Sequence, residues 1–270
     1  MITFPNAKIN IGLNITEKRA DGYHNLETIF YPIELCDTLE FVRGEETKSA
    51  CSGLAIEGES DNNLIMKAYR LLKAEFDLPA INIHLHKAIP MGAGLGGGSA
   101  DAAFMLKMLN TEFNLGLSTQ ELEERAAKLG ADCAFFIENK PTLAKGIGNI
   151  FEPTAINLAG YHIVLVKPDM HVSTAEAYGG CRPQRWTTPL EEAIKRPIAE
   201  WRECIFNDFE KTVFVAHPEL AEIKEMLYAK GAIYAAMSGS GSTIYGIFDK
   251  EIEHNITTDI KSDVYYLTLK

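Results

Sequence analysis

Long apolar runs, cysteine pairs and an excess of basic residues are all missing from this 270-residue sequence. No apolar run approaches the ~20 residues that a membrane-spanning helix requires. The N-terminal segment MITFPNAKINIGLNI also lacks the basic flank and the continuous apolar core of a signal peptide. We therefore expect a cytoplasmic protein that has no membrane partner.

The cysteines are odd in number and scattered, and no two of them form a CxxC pair. This pattern offers neither a disulfide framework nor a zinc site, and it suits a reducing cytosol. The positions are Cys36, Cys51, Cys133, Cys181 and Cys204.

Acidic residues outnumber basic residues by 37 to 26, which gives a formal net charge of −11. Nucleic-acid phosphates are held chiefly by lysine and arginine, so we expect no nucleic-acid partner. Because the overall field repels anions, any phosphorylated ligand must be bound by a local arrangement of donors.

The order of the predicted elements indicates an α+β fold with two packed lobes, residues 1–150 and 151–270. Strict alternation over residues 8–15 predicts a half-buried strand that carries Lys8 and Asn10 on its polar face. Helices are predicted near residues 62–76, 100–113, 118–130, 189–203, 207–216 and 218–231. Further strands are expected at residues 81–89, 161–168, 232–237, 243–248 and 264–269.

The segment PMGAGLGGGSADAA places five glycines within the seven positions from Gly92 to Gly98. A dinucleotide-binding fold needs a strand after the helix that follows, whereas here a second helix is predicted. The lysine of a Walker A loop is absent, as are the downstream motifs of protein kinases. A run of backbone N–H groups before a helix N-terminus still suits an anion. A flexible hinge or a crowded turn is the plainer alternative.

This glycine-rich segment resembles the phosphate loop of the GHMP small-molecule kinases, and the similarity extends from Pro5 to about Gly246. The family motif Pro-x-Ala-Lys-x-Asn is matched by Pro5, Ala7, Lys8 and Asn10. The segments RADGYHNLET, DNNLI, LGAD, AKGIGN, HVSTAEAY, NDFE and MSGSGST follow in the order found in GHMP kinases of a cytidine-diphosphate-linked methylerythritol. The resemblance implies the two-lobed GHMP kinase fold, with the active site in the cleft between the lobes.

The resemblance also implies transfer of the ATP γ-phosphoryl group to the tertiary 2-hydroxyl of that substrate, with Mg²⁺, in non-mevalonate isoprenoid synthesis. Asp132 matches the family's general base, and Lys8 matches its catalytic lysine. Held close together, the ammonium keeps the carboxylate ionised and orients the hydroxyl. Family members often have Asp-Val-Pro at the acid, whereas this chain has Asp132-Cys133-Ala134.

The positions that match the family's ATP site surround the glycine-rich segment. They are Asn63, Lys87, Pro90, Met91, Gly92, Ala93, Gly94, Leu95, Gly96, Gly97, Gly98, Ser99 and Ala100. The Ser99 hydroxyl is also a candidate magnesium ligand. For Lys87, a solvated lysine at a strand end is the alternative.

The positions that match the family's substrate site are Asn10, Tyr23, His24, Thr174, Tyr178, Gly239 and Ser240. We expect Tyr23 and Tyr178 to stack on the cytosine ring and His24 to bind its edge. The segment SGSGS at residues 238–242 either donates amides to the diphosphate or forms only a tight hairpin turn.

His84 and His86 share one strand face, and we expect them to point at solvent or at a neighbouring layer rather than to bind a metal ion. Two alternative functions stay open on the same scaffold. One is a GHMP kinase that acts on homoserine or a mevalonate derivative, and the other is a non-catalytic nucleotide-binding protein. A monomer or a weak homodimer is expected.

Overall fold

The computed structural model describes residues 1–55 and 63–270. β-Strands occur from the beginning to the end of the chain. Asp61 and Asn62 of the DNNLI motif lie outside the described residues. In chain order the strands are β1 (Ile2–Thr3), β2 (Asn6–Lys18), β3 (His24–Cys36), β4 (Thr38–Arg43), β5 (Lys48–Gly53), β6 (Ile81–Lys87), β7 (Thr142–Lys145), β8 (Ile150–Pro153), β9 (His162–Pro168), β10 (Tyr234–Met237), β11 (Ile244–Phe248) and β12 (Ser262–Thr268).

The helices are α1 (Leu64–Glu75), α2 (Gly97–Glu112), α3 (Thr119–Ala127), α4 (Phe135–Glu138), α5 (Thr174–Gly179), α6 (Leu190–Ala193), α7 (Glu210–Ala216) and α8 (Pro218–Ala229). A 3₁₀ helix spans Ile198–Glu203. The helices predicted near residues 62–76, 118–130 and 218–231 are confirmed as α1, α3 and α8. The N-terminus of α3 carries the capping box that the sequence indicates, formed by Ser118 and Glu121.

Each sheet mixes strands that are distant in the sequence. One sheet has the order β1-β4-β6-β5, in which β5 and β6 are parallel and the other pairs are antiparallel. A second has the order β2-β3-β7-β8, and a third, antiparallel throughout, has the order β10-β11-β9-β12. Since strands and helices do not alternate strictly, the predicted α+β class is confirmed.

Strand β2 is buried on both faces, so the prediction of a half-buried strand is wrong. Its apolar face is closed off as expected, but Asn10 and Asn14 on the polar face are also only 3% and 2% exposed. Chain segments from far along the sequence cover that face, and Trp186 lies over Gly12. The buried amides are satisfied there, because Asn14 donates to Asp208 and to a main-chain carbonyl.

Helix α2 begins at Gly97, three residues before the predicted start at Ala100. Its N-cap, Gly96, has a left-handed conformation with φ of 71° and makes no side-chain cap. Glycine has a low intrinsic helix propensity, so the sequence favours a loop at Gly97 and Gly98. In the structure both residues form the first turn of the helix.

The single helix predicted near residues 189–203 is wrong. The structure has the short helix α6 and then the 3₁₀ helix, whose N-cap is Pro197. Proline lacks the N–H group that a continuous helix requires, and its ring crowds the preceding turn.

The chain forms two compact units, each built from separate segments. One comprises residues 1–8, 35–91 and 96–140, and the other comprises residues 9–34, 92–95 and 141–270. The expected boundary near residue 150 lies inside the second unit, since β7 and β8 belong to the same sheet as β2 and β3. Across the described residues, no helix combines the length and the apolar character needed to span a bilayer.

Candidate active site

The glycine loop (residues 90–96) has left-handed backbone at every second position. Gly92, Gly94 and Gly96 have φ values of 60°, 77° and 71°, which L-residues with side chains rarely adopt. Between them, the side chains of Ala93 and Leu95 are buried. The buried side chains of Ala93 and Leu95 therefore anchor the loop, and the three glycines allow its backbone to curve.

The middle of the glycine loop lies directly against the SGSGS turn. A Cβ on Gly94 would overlap the carbonyl oxygen of Ser238. The Ser238 hydroxyl donates to the Gly94 carbonyl at 2.8 Å and accepts from the Asn10 N–H at 3.2 Å. One buried hydroxyl thus connects the glycine loop to strand β2.

The loop ends at the N-terminus of α2, a helix of 16 residues. The first turn carries no acidic residue, and no side chain caps the helix. The first N–H groups of a helix lack intrahelical partners and carry the positive end of the helix dipole. This geometry suits a bound anion.

Lys8 and Asp132 lie beside this end of the loop and form an ion pair, with Nζ and Oδ2 3.5 Å apart. The aliphatic stem of Lys8 lies against Gly96, where an added Cβ would be 3.2 Å from it. Burial lowers the pKa of Lys8, and Asp132 partly opposes that shift. The Asp132 side chain is 34% exposed. The pair is therefore brought together as expected, with the carboxylate open to a ligand.

Cys133, which stands where family members often have valine, is completely buried. Burial raises the pKa of its thiol to about 11, and the nearby Ser99 hydroxyl works against that shift. The Cys133 sulfur and the Ser99 oxygen lie 3.1 Å and 4.0 Å from where a Cβ on Gly130 would be. All five cysteines are free in the structure.

Lys87 is fully buried, so the alternative of a solvated strand-end lysine is wrong. Its ammonium forms ion pairs with Asp37 and, at 2.9 Å, with Asp101. We call Asp37, Lys87 and Asp101 the buried triad. Burial raises the pKa of Asp101 to about 7, although the Lys87 charge opposes the shift. The Lys87 ammonium has no exposed surface, and its predicted contact with a nucleotide stays a prediction.

Asn63 caps helix α1, and its Oδ1 accepts from the N–H of Ile65 at 3.0 Å. This cap is a sufficient structural reason for an asparagine at the position. Its predicted contact with a nucleotide stays a prediction.

An aromatic cluster brings together two of the predicted substrate residues. The His24 ring stacks on Tyr178 with centroids 4.8 Å apart, and Tyr178 meets Phe209 edge-on at 4.7 Å. Burial, and to a smaller degree the charge of Lys18, lower the pKa of His24. Tyr23 is 63% exposed. His24, and not Tyr23, therefore occupies the face of Tyr178 in this structure.

The SGSGS turn also approaches helix α5. The hydroxyls of Thr174 and Ser240 lie 3.5 Å apart. Thr174 and Tyr178 share this helix, as their spacing predicts. The turn is thus more than an isolated hairpin, since it contacts both the glycine loop and α5.

Sequence reasoning missed the residues that support these turns from behind. Asn207 donates through Nδ2 to the carbonyls of Met237 and Gly239, both at 2.8 Å. The NDFE motif flags Asn207, but no pattern in the sequence assigns a partner to it. The SGSGS segment includes Ser238, but the bonds of its hydroxyl were not predicted, and Asp37 and Asp101 were missed.

His84 and His86 both meet the Ser52 hydroxyl on the neighbouring strand, at 3.1 Å and 3.0 Å. His84 also lies 3.6 Å from the carboxylate of Glu40. In residues 1–55 and 63–270, no three His, Cys, Asp or Glu side chains are grouped so as to hold a metal ion. His86 is exposed and His84 is half-buried, and both contact side chains of neighbouring strands in the same sheet.

Two family models match the chain: the GHMP kinases N terminal domain over residues 63–140 and the GHMP kinases C terminal domain over residues 190–265. The 4-diphosphocytidyl-2-C-methyl-D-erythritol kinase of Bacteroides fragilis is 62% identical over 255 residues, which cover 93% of each chain. A crystal structure of 4-(cytidine 5'-diphospho)-2C-methyl-D-erythritol kinase has a TM-score of 0.77 and 33% identity, over 92% of this chain and 90% of that one.

The mevalonate kinase of Methanococcus jannaschii is only 14% identical but covers 100% of this chain and 98% of its own, with a TM-score of 0.67. That likeness concerns the fold alone.

The crowding at Gly94 is tested by comparing Gly94→Ala with Gly160→Ala. Both glycines have positive φ, 77° and 87°, but Gly160 has open space where a Cβ would lie. Gly160→Ala should lower the free energy of unfolding by about 1–2 kcal/mol, the cost of left-handed backbone. Gly94→Ala should lower it further, because the Ser238 carbonyl must also move. Urea denaturation measures both losses, and equal losses would contradict the crowding.

Proposed function

We propose that this chain, which belongs to the family of 4-diphosphocytidyl-2-C-methyl-D-erythritol kinases, transfers the γ-phosphoryl group of ATP to the 2-hydroxyl group of that compound. This reaction serves non-mevalonate isoprenoid precursor synthesis. The observation that carries the proposal is the Lys8–Asp132 pair beside Gly96, at the end of a loop shaped for an anion.

Asp132 is the general base in this proposal. A tertiary alcohol is a weak nucleophile, and an ionised carboxylate at hydrogen-bond distance takes its proton as the oxygen attacks the γ-phosphorus. The bond from that phosphorus to the bridging oxygen breaks, and ADP leaves. The Lys8 ammonium, 3.5 Å from Oδ2 of Asp132, orients the substrate hydroxyl in this proposal.

The glycine loop and the first turn of α2 hold the ATP phosphates in this proposal. Phosphoryl transfer depends mainly on positioning and charge neutralisation. Main-chain N–H groups near Gly96 and Ser99 are the donors, since a glycine backbone lets an anion approach closely. The residues from Pro90 to Ala100 would line this site.

Mg²⁺ fits the residues present. The described residues offer no ready-made group of three metal-binding side chains. Mg²⁺ usually keeps several waters and binds substrate phosphates, and a serine or threonine hydroxyl is one of its protein ligands in P-loop NTPases. The Ser99 hydroxyl is the protein ligand that we propose. When bound, the ion neutralises phosphate charge.

The cytidine end of the substrate is bound, in this proposal, by Tyr23, His24 and Tyr178. The lowered pKa of His24 favours the neutral ring, which has one donor and one acceptor nitrogen for a base edge. Thr174 and the SGSGS turn, with Gly239 and Ser240, would face the diphosphate, and Asn10 would face the methylerythritol portion.

The function is tested by coupled ADP release with ATP and three alcohols: the cytidine conjugate, homoserine and mevalonate. The cytidine conjugate alone should support rapid ADP release. Fast turnover of homoserine or mevalonate would contradict the proposal. Tight ATP binding with no turnover of any alcohol would instead indicate a nucleotide-binding protein without catalytic activity.

Asp132→Asn should lower kcat by about 10²–10⁴-fold, the usual contribution of a general base, because the amide accepts no proton. The KM for ATP should change little. Glu138→Gln, which removes a neighbouring exposed carboxylate, is the matched control and should keep wild-type kcat. A near-wild-type rate for Asp132→Asn would remove the assignment.

His24→Ala should reduce the preference for cytidine over uridine conjugates by about tenfold or more, because edge hydrogen bonds carry base discrimination. Tyr23→Ala should instead weaken binding of both conjugates about equally, since stacking is indifferent to the base. Competition assays with the two conjugates measure both effects. Unchanged selectivity in His24→Ala would show that another group reads the base.

A further inference from the structure

The buried triad consists of three ionisable side chains that solvent hardly reaches. The side chains of Asp37 and Lys87 are fully buried, and that of Asp101 is 3% exposed. Two carboxylates thus share a single ammonium group. Removing three such groups from water is costly, and apolar replacements of buried ion pairs are often neutral or stabilising.

The triad is not arranged for maximum stability. Oδ1 of Asp101 is buried and has no hydrogen-bond partner among the described residues. A buried acceptor without a donor costs free energy. The arrangement is therefore better explained by a geometric requirement than by a gain in stability.

One end of the triad holds the chain that enters the glycine loop. Oδ1 of Asp37 accepts hydrogen bonds from the N–H groups of Ala88, at 2.7 Å, and Ile89, at 2.9 Å. These residues come directly before Pro90, the first residue of the loop. A charged acceptor makes both bonds stronger than neutral ones.

The other end of the triad holds the chain that leaves the loop. Asp101 is the fifth residue of α2, and its carboxylate binds Lys87. The same ammonium lies under the first turn of the helix, 3.2 Å from where a Cβ on Gly97 would be. Entry and exit of the loop are thus connected through a single nitrogen atom.

We propose that Asp37, Lys87 and Asp101 are positioning residues that fix both ends of the glycine loop, and that they thereby set the affinity for ATP. The inference rests on the proposed function. It assigns Lys87 no contact with the nucleotide. Without the triad, the loop would have to be ordered when ATP binds, and that ordering cost would appear as weaker binding.

Asp101→Ala is the most informative variant. It leaves a one-to-one pair of Lys87 and Asp37 and deletes the unpartnered oxygen, so the protein should keep its melting temperature within a few degrees. The Kd for ATP should rise about tenfold, the size expected for losing one charge-assisted hydrogen bond. Calorimetric titration with ATP and Mg²⁺, without the second substrate, measures this Kd independently of turnover.

Two further variants test whether the hydrogen bonds of the triad cause the rise in the Kd for ATP. Asp101→Asn still accepts a hydrogen bond from Lys87 and should restore most of the affinity. Asp37→Asn weakens the entry end and should raise the Kd for ATP by about threefold or more. It also provides a second measurement if Asp101→Ala does not fold. In steady-state assays the KM for ATP should rise in these variants, while kcat at saturating ATP changes less than about threefold.

Leu122→Ala is the control for general destabilisation, because Leu122 is buried in helix α3 of the same unit. It should lower the melting temperature and leave the Kd for ATP unchanged. An unchanged Kd in the folded Asp101 and Asp37 variants would overturn the inference, as would an equal rise in the control. A wild-type protein that binds no ATP would overturn the proposed function itself, and the inference with it.

Discussion

Main chain meets main chain at Gly94 and Ser238, and the shape of the glycine loop depends on that contact. No side chain fits between the two segments. The Ser238 hydroxyl adds two hydrogen bonds at this contact: it donates to the Gly94 carbonyl and accepts from the N–H of Asn10. Glycine is required here for two separate reasons, left-handed backbone and close approach. Ala93 and Leu95 then hold the loop down by burying their side chains.

An acidic protein attracts an anion only through local groups, and the structure limits which groups are available. Lys87 shares its charge with two carboxylates, so it contributes little positive field. Lys8 is paired with Asp132, and burial works against its charge. In the proposed ATP site, the oriented main-chain N–H groups before and within the first turn of α2 are therefore the principal donors to the phosphates.

The sequence alone predicts the fold class, most helices and the pairing of Lys8 with Asp132, because local periodicity and a family motif carry those features. The sequence-based prediction fails where segments distant in the chain determine whether a side chain is buried. The polar face of β2 looks solvent-exposed until Asp208 and Trp186 cover it. Lys87 at the end of a strand looks like a surface residue until Asp37 and Asp101 enclose it.

Helix boundaries fail for a different reason. The first turn of α2 contains two glycines, and intrinsic propensity argues against a helix there. Packing overrides that preference, since Gly97 lies against Ile89 and the Lys87 ammonium with no room for a side chain. The close contact of Gly97 with the Lys87 ammonium, which belongs to the buried triad, is thus the reason that the predicted helix start is wrong.

The thiol beside Asp132 has a chemical consequence of its own. Thiolates, not thiols, react with peroxides and alkylating agents. With a pKa of about 11 and no exposed surface, Cys133 holds only about one part in ten thousand as thiolate at pH 7. The segment that carries Asp132 therefore does not react readily with oxidants or thiol-directed electrophiles, although Cys133 is the next residue.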